Sequence, residues 1–421
     1  MTEDFLYYIW QFKLFQNPLK TLQGEEVYVE NPGYRNVNAG PDFLNARIKM
    51  GDVSWHGNVE IHVKTSDWHL HGHDYDPSYQ KLILHLVYHH DIDKVPHDCP
   101  LVALDGSISE DLIENFKYLH QQNQFIPCEN LFHRVDDFTK LNFVESLYVQ
   151  RLAEKSKLLE QRWLILKGDW EALLFEQISS VFGLKINANA FEILAKSFPF
   201  KILQQINSKN ENLEAFLFGQ AGFLEDIKDD YQAQLRSDYQ FLKHKYNTQS
   251  IENHLFKFLR LRPANFPTLR LAQLANLYQN ESKLFTTILN SNTLDSLNLI
   301  FTKTKASDYW DQHYNFAKFS KKTNVKTLTQ ERINLIILNT IVPIRFFHAM
   351  QYGTDNVEDL LSLVRSIKPE QNSIIKNYKK IGANISNALE GQAYLELKKK
   401  YCDQKKCLDC RIGNKIINYV R

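Results

Sequence analysis

An excess of one charge is missing from this chain: 50 lysines and arginines meet 49 aspartates and glutamates over 421 residues. A protein that grips nucleic acid over its whole surface carries a basic excess, so any phosphate-binding face here has to be local. Cysteine is scarce, five in all, which excludes a disulfide framework and suits a reducing compartment, the cytoplasm. Long hydrophobic runs are also lacking. The most apolar stretch, 333–344, is interrupted by Asn334, Asn339 and Thr340 and is shorter than the ~20 residues that span a bilayer. The first fifteen residues show no basic start followed by a small-residue cleavage site, the marks of a secretory signal. A cytoplasmic protein with no membrane partner is therefore expected, long enough for two or three domains.

What is present divides unevenly. Residues 3–16 carry apolar side chains at helical spacing, with Phe5, Leu6, Ile9, Phe12 and Leu14 as the packed face. Segments 25–30, 42–50 and 53–64 alternate like strands, the last two joined by a Gly51-Asp52 hairpin turn. A histidine-rich loop or short helix covers 67–81. Segment 82–88 is apolar enough for a buried central strand, 101–104 reads as one more strand, and 110–120 as a helix. From about residue 138 helical periods take over (138–166, 169–182, 189–197, 227–246, 269–279, 331–341, 356–367) and proline and glycine become sparse. The expected class is α+β: a small mixed-sheet αβββαβ domain over 1–134, then a large all-helical region over 135–421, of one or two subdomains.

Strand 53–64 is the most informative element. Val53, Trp55, Val59, Ile61 and Val63 take the odd positions; Ser54, His56, Asn58, Glu60, His62 and Lys64 the even ones. Side chains alternate faces along a strand, so one face is wholly polar. Asp42 opens the preceding strand, and in a hairpin it would face Glu60, giving paired carboxylates for Mg²⁺ or Mn²⁺. His62 lies roughly 6.6 Å further along that face and Lys64 about 13 Å from Glu60. The plainer interpretation is a one-sided sheet whose outer face alternates as solvated sheets do.

Residues 40–64, GPDFLNARIKMGDVSWHGNVEIHVK, resemble the core of the PD-(D/E)xK nuclease superfamily, which sets an acid after a proline on its second strand and an acid-x-Lys pair on its third. The resemblance implies an αβββαβ fold and Mg²⁺-dependent phosphodiester hydrolysis, with Asp42 and Glu60 as metal ligands and Lys64 positioning or activating water. The spacing departs from the family's: in Glu60-Ile61-His62-Val63-Lys64, either His62 replaces the acid before Lys64 or His62 takes the lysine slot. The distance between Glu60 and Lys64 favours the second. Over its whole length the chain also resembles an uncharacterised bacterial family of unknown function, through AGPDF, GNVEIHVKTSDWHLHGHD, LILHLVYHHD, RLRPANFPTLRLAQLA and YCDQKKCLDCRIGN; that membership implies no activity.

Three further groups draw attention. His69, His71, His73, His85, His89, His90 and His97 crowd into one stretch. Imidazole suits Zn²⁺, and a His-x-His pair with Asp74 could bind a metal independently of Glu60; His85, inside an apolar strand, is expected to be a hydrogen-bonded core residue. Cys402, Cys407 and Cys410 have the density of a Zn²⁺ or iron–sulfur site, with Cys128, Cys99 or a histidine as fourth ligand. They resemble the iron–sulfur loop of endonuclease III-type glycosylases, with four residues instead of six before the second cysteine and none following. Residues 398–421 are basic, net +6. Arg260, Arg262 and Arg270 offer forks to phosphate, or ion pairs between helices. These features together suggest a metal-dependent, nuclease-like hydrolase acting on DNA or RNA. The alternatives are a non-catalytic nucleic-acid-binding or scaffold protein that keeps the fold, and a Zn²⁺ hydrolase built on the histidine loop.

Overall fold

The computed structural model describes residues 1–353 and 357–419. It is 55% helix and 12% strand, an α+β protein with its mixed sheet at the N-terminus. Two compact units form. The first comprises Met1–Val144, Asn372–Asn384 and Tyr394–Arg421, the second Glu145–Gln371 and Ile385–Ala393.

Helix α1 (Glu3–Gln11) starts where the Thr2 hydroxyl accepts from Phe5 N, with Glu3 and Asp4 in its first turn, charges that suit the positive end of a helix dipole. It ends earlier than the apolar spacing predicts. Lys13 takes a left-handed φ of 52°, so the helical period does not reach Leu14, and Phe12 is 54% exposed instead of packed. The buried face is Phe5, Leu6, Tyr8, Ile9 and Trp10.

The sheet contains β1 (Leu19–Lys20), β2 (Glu26–Asn31), β3 (Tyr34–Arg35), β4 (Phe43–Met50), β5 (Val53–Lys64), β6 (Leu82–His89) and β7 (Leu101–Ala103). Its order is β1-β2-β4-β5-β6-β7, with β3 alongside β4. β4 and β5 form the expected antiparallel hairpin, Met50 opposite Val53. β5 and β6 are parallel, Glu60 beside His85, which requires a crossover; residues 65–81 supply it, with the short helix α2 (Asp67–Leu70). The succession of helix, three main strands, short helical crossover and strand is the αβββαβ order. Where β5 meets β6 the backbones approach closely: a Cβ on Gly57 would lie 2.4 Å from Ile83 Cγ2, and the pairing slips by one residue there. Helix α3 (Glu110–Gln121) packs on α1 through Phe116 stacked on Phe5 at 4.0 Å.

The division differs from the one expected at 134/135. The boundary falls inside the helix Asp137–Ile165, and residues 394–419 return to the first unit instead of closing the helical region. The reason is side-chain pairing across the length of the chain: buried Asn115 donates from Nδ2 to the carbonyls of Ile417 (3.2 Å) and Tyr419 (2.9 Å), and Asn418 donates to the Tyr8 hydroxyl at 2.6 Å.

The second unit is helical apart from a two-stranded hairpin, His313–Asn315 with Lys318–Phe319, where Ala317 turns at φ 54°. Its core includes Trp310 stacked on Phe218 at 5.4 Å. The apolar stretch 333–344 belongs to a longer continuous helical run, Gln330–Tyr352, of 23 residues. By length and composition that run could cross a membrane, but 61% of its most apolar window is buried inside the protein, the property of a core helix.

Replacing Asn115 by Leu should leave the buried Ile417 carbonyl without this donor and remove the bond to the more exposed Tyr419 carbonyl, at a cost of roughly 1–3 kcal/mol. Urea unfolding followed by tryptophan fluorescence measures this, and an unchanged midpoint would show that the Asn115 bonds do not hold the C-terminal helix.

Candidate functional site

The polar face of β5 is covered at Glu60 and His62, while Ser54, His56 and Lys64 on the same face are exposed. Glu60 is 4% exposed and His62 1%, because the 65–81 crossover lies over them. A carboxylate buried this way is costly unless it is neutralised or bound by a cation. Asp42 and Glu60 meet as the hairpin predicts, through reciprocal bonds to backbone. Asp42 N donates to Glu60 Oε2 (3.1 Å), and Ile61 N donates to Asp42 Oδ2 (3.0 Å). Both carboxyls are pushed above the usual carboxylate range. Burial is the main cause for each, and for Glu60 the neighbouring Asp42 adds to it.

With Oε2 occupied, Glu60 turns Oε1 toward two imidazoles: His73 Nε2 at 3.2 Å and His62 Nε2 at 3.4 Å. His62 Nε2 is also 3.2 Å from His71 Nδ1. The ligand atoms of His62, His71 and His73 all lie within 4.8 Å of one another. His73 is 90% buried and stacked on Tyr79 at 3.9 Å. Its Nε2, close as it is to Glu60, makes no well-aligned hydrogen bond. A buried lone pair aimed at two other imidazoles and a carboxylate oxygen is the arrangement a divalent cation fills. His71 is exposed and forms the open side.

Behind His62 runs a file of bonded rings. His62 Nδ1 is 2.8 Å from His85 Nε2, His85 Nδ1 is 2.7 Å from His97 Nε2, and His97 Nδ1 is 3.0 Å from Cys99 Sγ. Burial pushes His62 down to about 3 and His85 to about 2, so each is a neutral imidazole with one donor and one acceptor. If His62 offers its Nε2 lone pair to a metal, its Nδ1 carries the proton and must donate to His85, and every later bond in the file then points toward Cys99. Trp68 packs on His97 at 4.4 Å and on His85 at 5.2 Å.

Several expectations change. The independent His-x-His and Asp74 site does not form: Asp74 accepts from Trp68 Nε1 (3.0 Å) and pairs with His69 (2.7 Å), while His71 and His73 join Glu60 and His62. His69 therefore lies outside the cluster. Lys64, on the same face by alternation, sits at the open end of β5, 57% exposed, its Nζ 3.9 Å from Asp91 and away from Glu60. His85 is the buried, hydrogen-bonded residue expected, although its partners are other histidines. Arg260 and Arg262 are exposed. Arg270 is buried and donates to Gln273 Oε1 (2.6 Å), Ala264 O (2.7 Å) and Asn265 Oδ1 (3.0 Å), so it braces its own loop and presents no fork to phosphate. The cysteines 402, 407 and 410 lie in the first unit with Cys128. Sequence reasoning did not find Tyr79 or the file through His97 to Cys99; spacing offers no signal for partners brought together by a parallel crossover.

The fold and these side chains define a class: an α+β protein whose sheet carries a covered carboxylate and histidine centre. More particularly, the chain belongs to the family described as "Protein of unknown function (DUF2851)", whose model matches residues 3–373. Neither the curated proteins nor the solved structures yield a match.

Two measurements probe the centre. Because His62 is already a neutral ring near neutral pH and Glu60 holds its proton, Zn²⁺ or Mn²⁺ binding should release a proton from the carboxyl pair and strengthen as pH rises. Calorimetry in buffers of different ionisation enthalpy reads that release. Glu60→Gln should abolish it and weaken binding by about tenfold or more, whereas His69→Ala should leave it intact. The buried rings should make stability respond to acid in the same sense as an ordinary ion-paired carboxylate, because their folded proton affinity is likewise depressed. His62 drops from 6.5 to about 3 on folding, so in that window the unfolded chain binds protons that the folded one refuses. In Glu60→Gln, which removes the opposing contribution of the raised carboxyl, the metal-free protein should therefore lose stability as pH falls below about 6.5; denaturant titrations of that variant at a series of pH values would show a flat profile if the rings are in fact solvated.

Proposed function

We propose that the protein is a metal-dependent hydrolase that cuts phosphodiester bonds of DNA or RNA, with its centre on β4, β5 and the crossover. The observation that carries this reading is the convergence of the ligand atoms of His62, His71 and His73 within 4.8 Å of one another, with Glu60 Oε1 beside His62 and His73. The αβββαβ order and the Asp42–Glu60 pair on one hairpin support a nuclease-type reaction. The donor set, three imidazoles beside carboxylates, favours Zn²⁺ or Mn²⁺ over Mg²⁺, which prefers oxygen alone.

His62, His71 and His73 would hold the ion, with Glu60 Oε1 as an oxygen ligand or as the base beside it. A bound divalent cation supplies an activated water and neutralises the charge that develops on phosphate. Asp42 acts as a positioning residue: its backbone N fixes Glu60 Oε2, leaving Oε1 toward the rings. Glu60 holds its proton until a cation displaces it, and the carboxylate so formed would then serve as the base toward water. His71, at the exposed edge, marks where substrate would enter. Seven of the eight basic residues in 398–421 (Lys398, Lys399, Lys400, Lys405, Lys406, Arg411 and Lys415) belong to the unit that holds this centre, the local source of positive charge a phosphate backbone needs; Arg421 lies outside the described residues. Five free thiols fit a cytoplasmic setting.

One observation favours a second reading. The near-complete burial of Glu60 and His62 also suits a metal that only braces the crossover, in a nucleic-acid-binding or scaffold protein without chemistry. Labelled single- and double-stranded DNA and RNA, offered with Zn²⁺, Mn²⁺ or Mg²⁺, separate the two. Cleavage by wild type that drops at least about 100-fold in Glu60→Ala is the expected outcome. Metal bound with no cleavage of any substrate by the folded protein would establish the bracing role. Cleavage unaffected by Glu60→Ala would put the chemistry elsewhere.

A further inference from the structure

All five cysteines lie in the first unit, and Cys128 joins Cys402, Cys407 and Cys410 there although most of the chain separates it from them. Cys128 precedes the helical turns Glu129–Arg134. Cys402 ends the π-helical turn Lys398–Cys402, Cys407 lies in the following loop, and Cys410 precedes the helix Arg411–Ile417. The loop is tightly made. Cys410 N donates to Cys407 O at 3.3 Å and Asn414 N to Cys410 O at 2.8 Å, and a Cβ on Gly413 would lie 2.2 Å from Cys407 O, so only glycine lets the Cys-x2-Cys turn close on the helix. The pocket wall is aromatic: fully buried Tyr378 sets its hydroxyl 3.5 Å from Cys402 Sγ and packs on Phe125, Phe132 and Tyr394.

All four are free thiols, and each bears electrostatically on the other three. Cys128, Cys407 and Cys410 are buried and Cys402 is half-buried. As thiols they gain little from one another, since S–H is a weak donor and sulfur a weak acceptor. A cation that takes all four sulfurs makes the cluster favourable, exchanging four S–H protons for four metal–sulfur bonds. Spacing discriminates between metals. One tetrahedral Zn²⁺ with bonds of about 2.3 Å draws its sulfurs to about 3.8 Å of one another. Among the described residues, the group of ligand atoms drawn within 4.8 Å is the histidine trio, and no three of the cysteine sulfurs are set that closely. A cubane held at four corners keeps its thiolates farther apart.

We propose that Cys128, Cys402, Cys407 and Cys410 ligate a four-iron iron–sulfur cluster that fastens the C-terminal segment into the N-terminal unit. Loading is ligand exchange: a preassembled cluster passes from its carrier's thiolates to these four, which release their protons, with no change in the oxidation state of sulfur or iron. The proposal stands apart from the hydrolase reading, since it uses none of the same side chains.

The test is metal and sulfide analysis of the full chain purified without oxygen. About four iron and four acid-labile sulfide per chain are expected, with sulfur-to-iron charge-transfer absorption in the visible. Cys128→Ser, Cys407→Ser and Cys410→Ser should each lose most of that absorption, while Cys99→Ser keeps it. Stripping the iron from wild type with a chelator should expose residues 394–419 to protease while the sheet stays protected. One zinc per chain without sulfide would overturn the cluster assignment, as would a metal-free protein whose four thiols all react with a thiol reagent after denaturation. Full iron retention in Cys128→Ser would overturn the four-cysteine ligand set.

Discussion

Glu60 is a carboxylate on a central strand with almost no access to water, and the arrangement of the first unit follows from satisfying it. One oxygen takes the backbone N–H of Asp42, which ties β4 to β5 at the open end of the hairpin. The other faces His62 and His73, and His73 reaches it only because the crossover between two parallel strands folds back over the sheet. Parallel pairing demands such a crossover; here the demand brings the covering histidines to the carboxylate. A group that would cost several kcal/mol if left charged and alone is thus set against imidazole rings, His62 and His73, that lie within 3.4 Å of its second oxygen.

The same logic separates polar groups that face the centre from those that merely resemble it in sequence. Lys64 shares the parity of Glu60 and His62, yet it ends the strand beyond the cover and meets Asp91 at the surface. His69 lies two residues from His71 and is turned outward to Asp74. In the second unit, buried polar side chains serve structure: Arg270 and Gln273 brace a loop, and Glu176 accepts both nitrogens of Arg162. None of these has an orphaned lone pair comparable with that of His73.

The C-terminal segment is held to the first unit by Asn115 and Asn418 and by the wall around Tyr378, and it brings three cysteines to a fourth. A small sheet with one helix on its main face has limited area to bury. A distant stretch of chain tied in by the amides of Asn115 and Asn418 gives that unit a second means of closure, independent of the carboxylate centre.

The sequence by itself determined the α+β class, the β4–β5 hairpin, the opposition of Asp42 and Glu60, and the helical character of the second unit. Each rests on local alternation, helical spacing or a two-residue turn, all of which are written in neighbouring residues. It also marked the cysteines and histidines as unusual by density alone. Tertiary structure decided whether the polar face of β5 is wet or covered, which histidines face Glu60, that His62, His85, His97 and Cys99 line up, and that residues 394–419 leave the helical region. These depend on a parallel crossover and on side chains paired across hundreds of positions, and period and spacing carry no information about either.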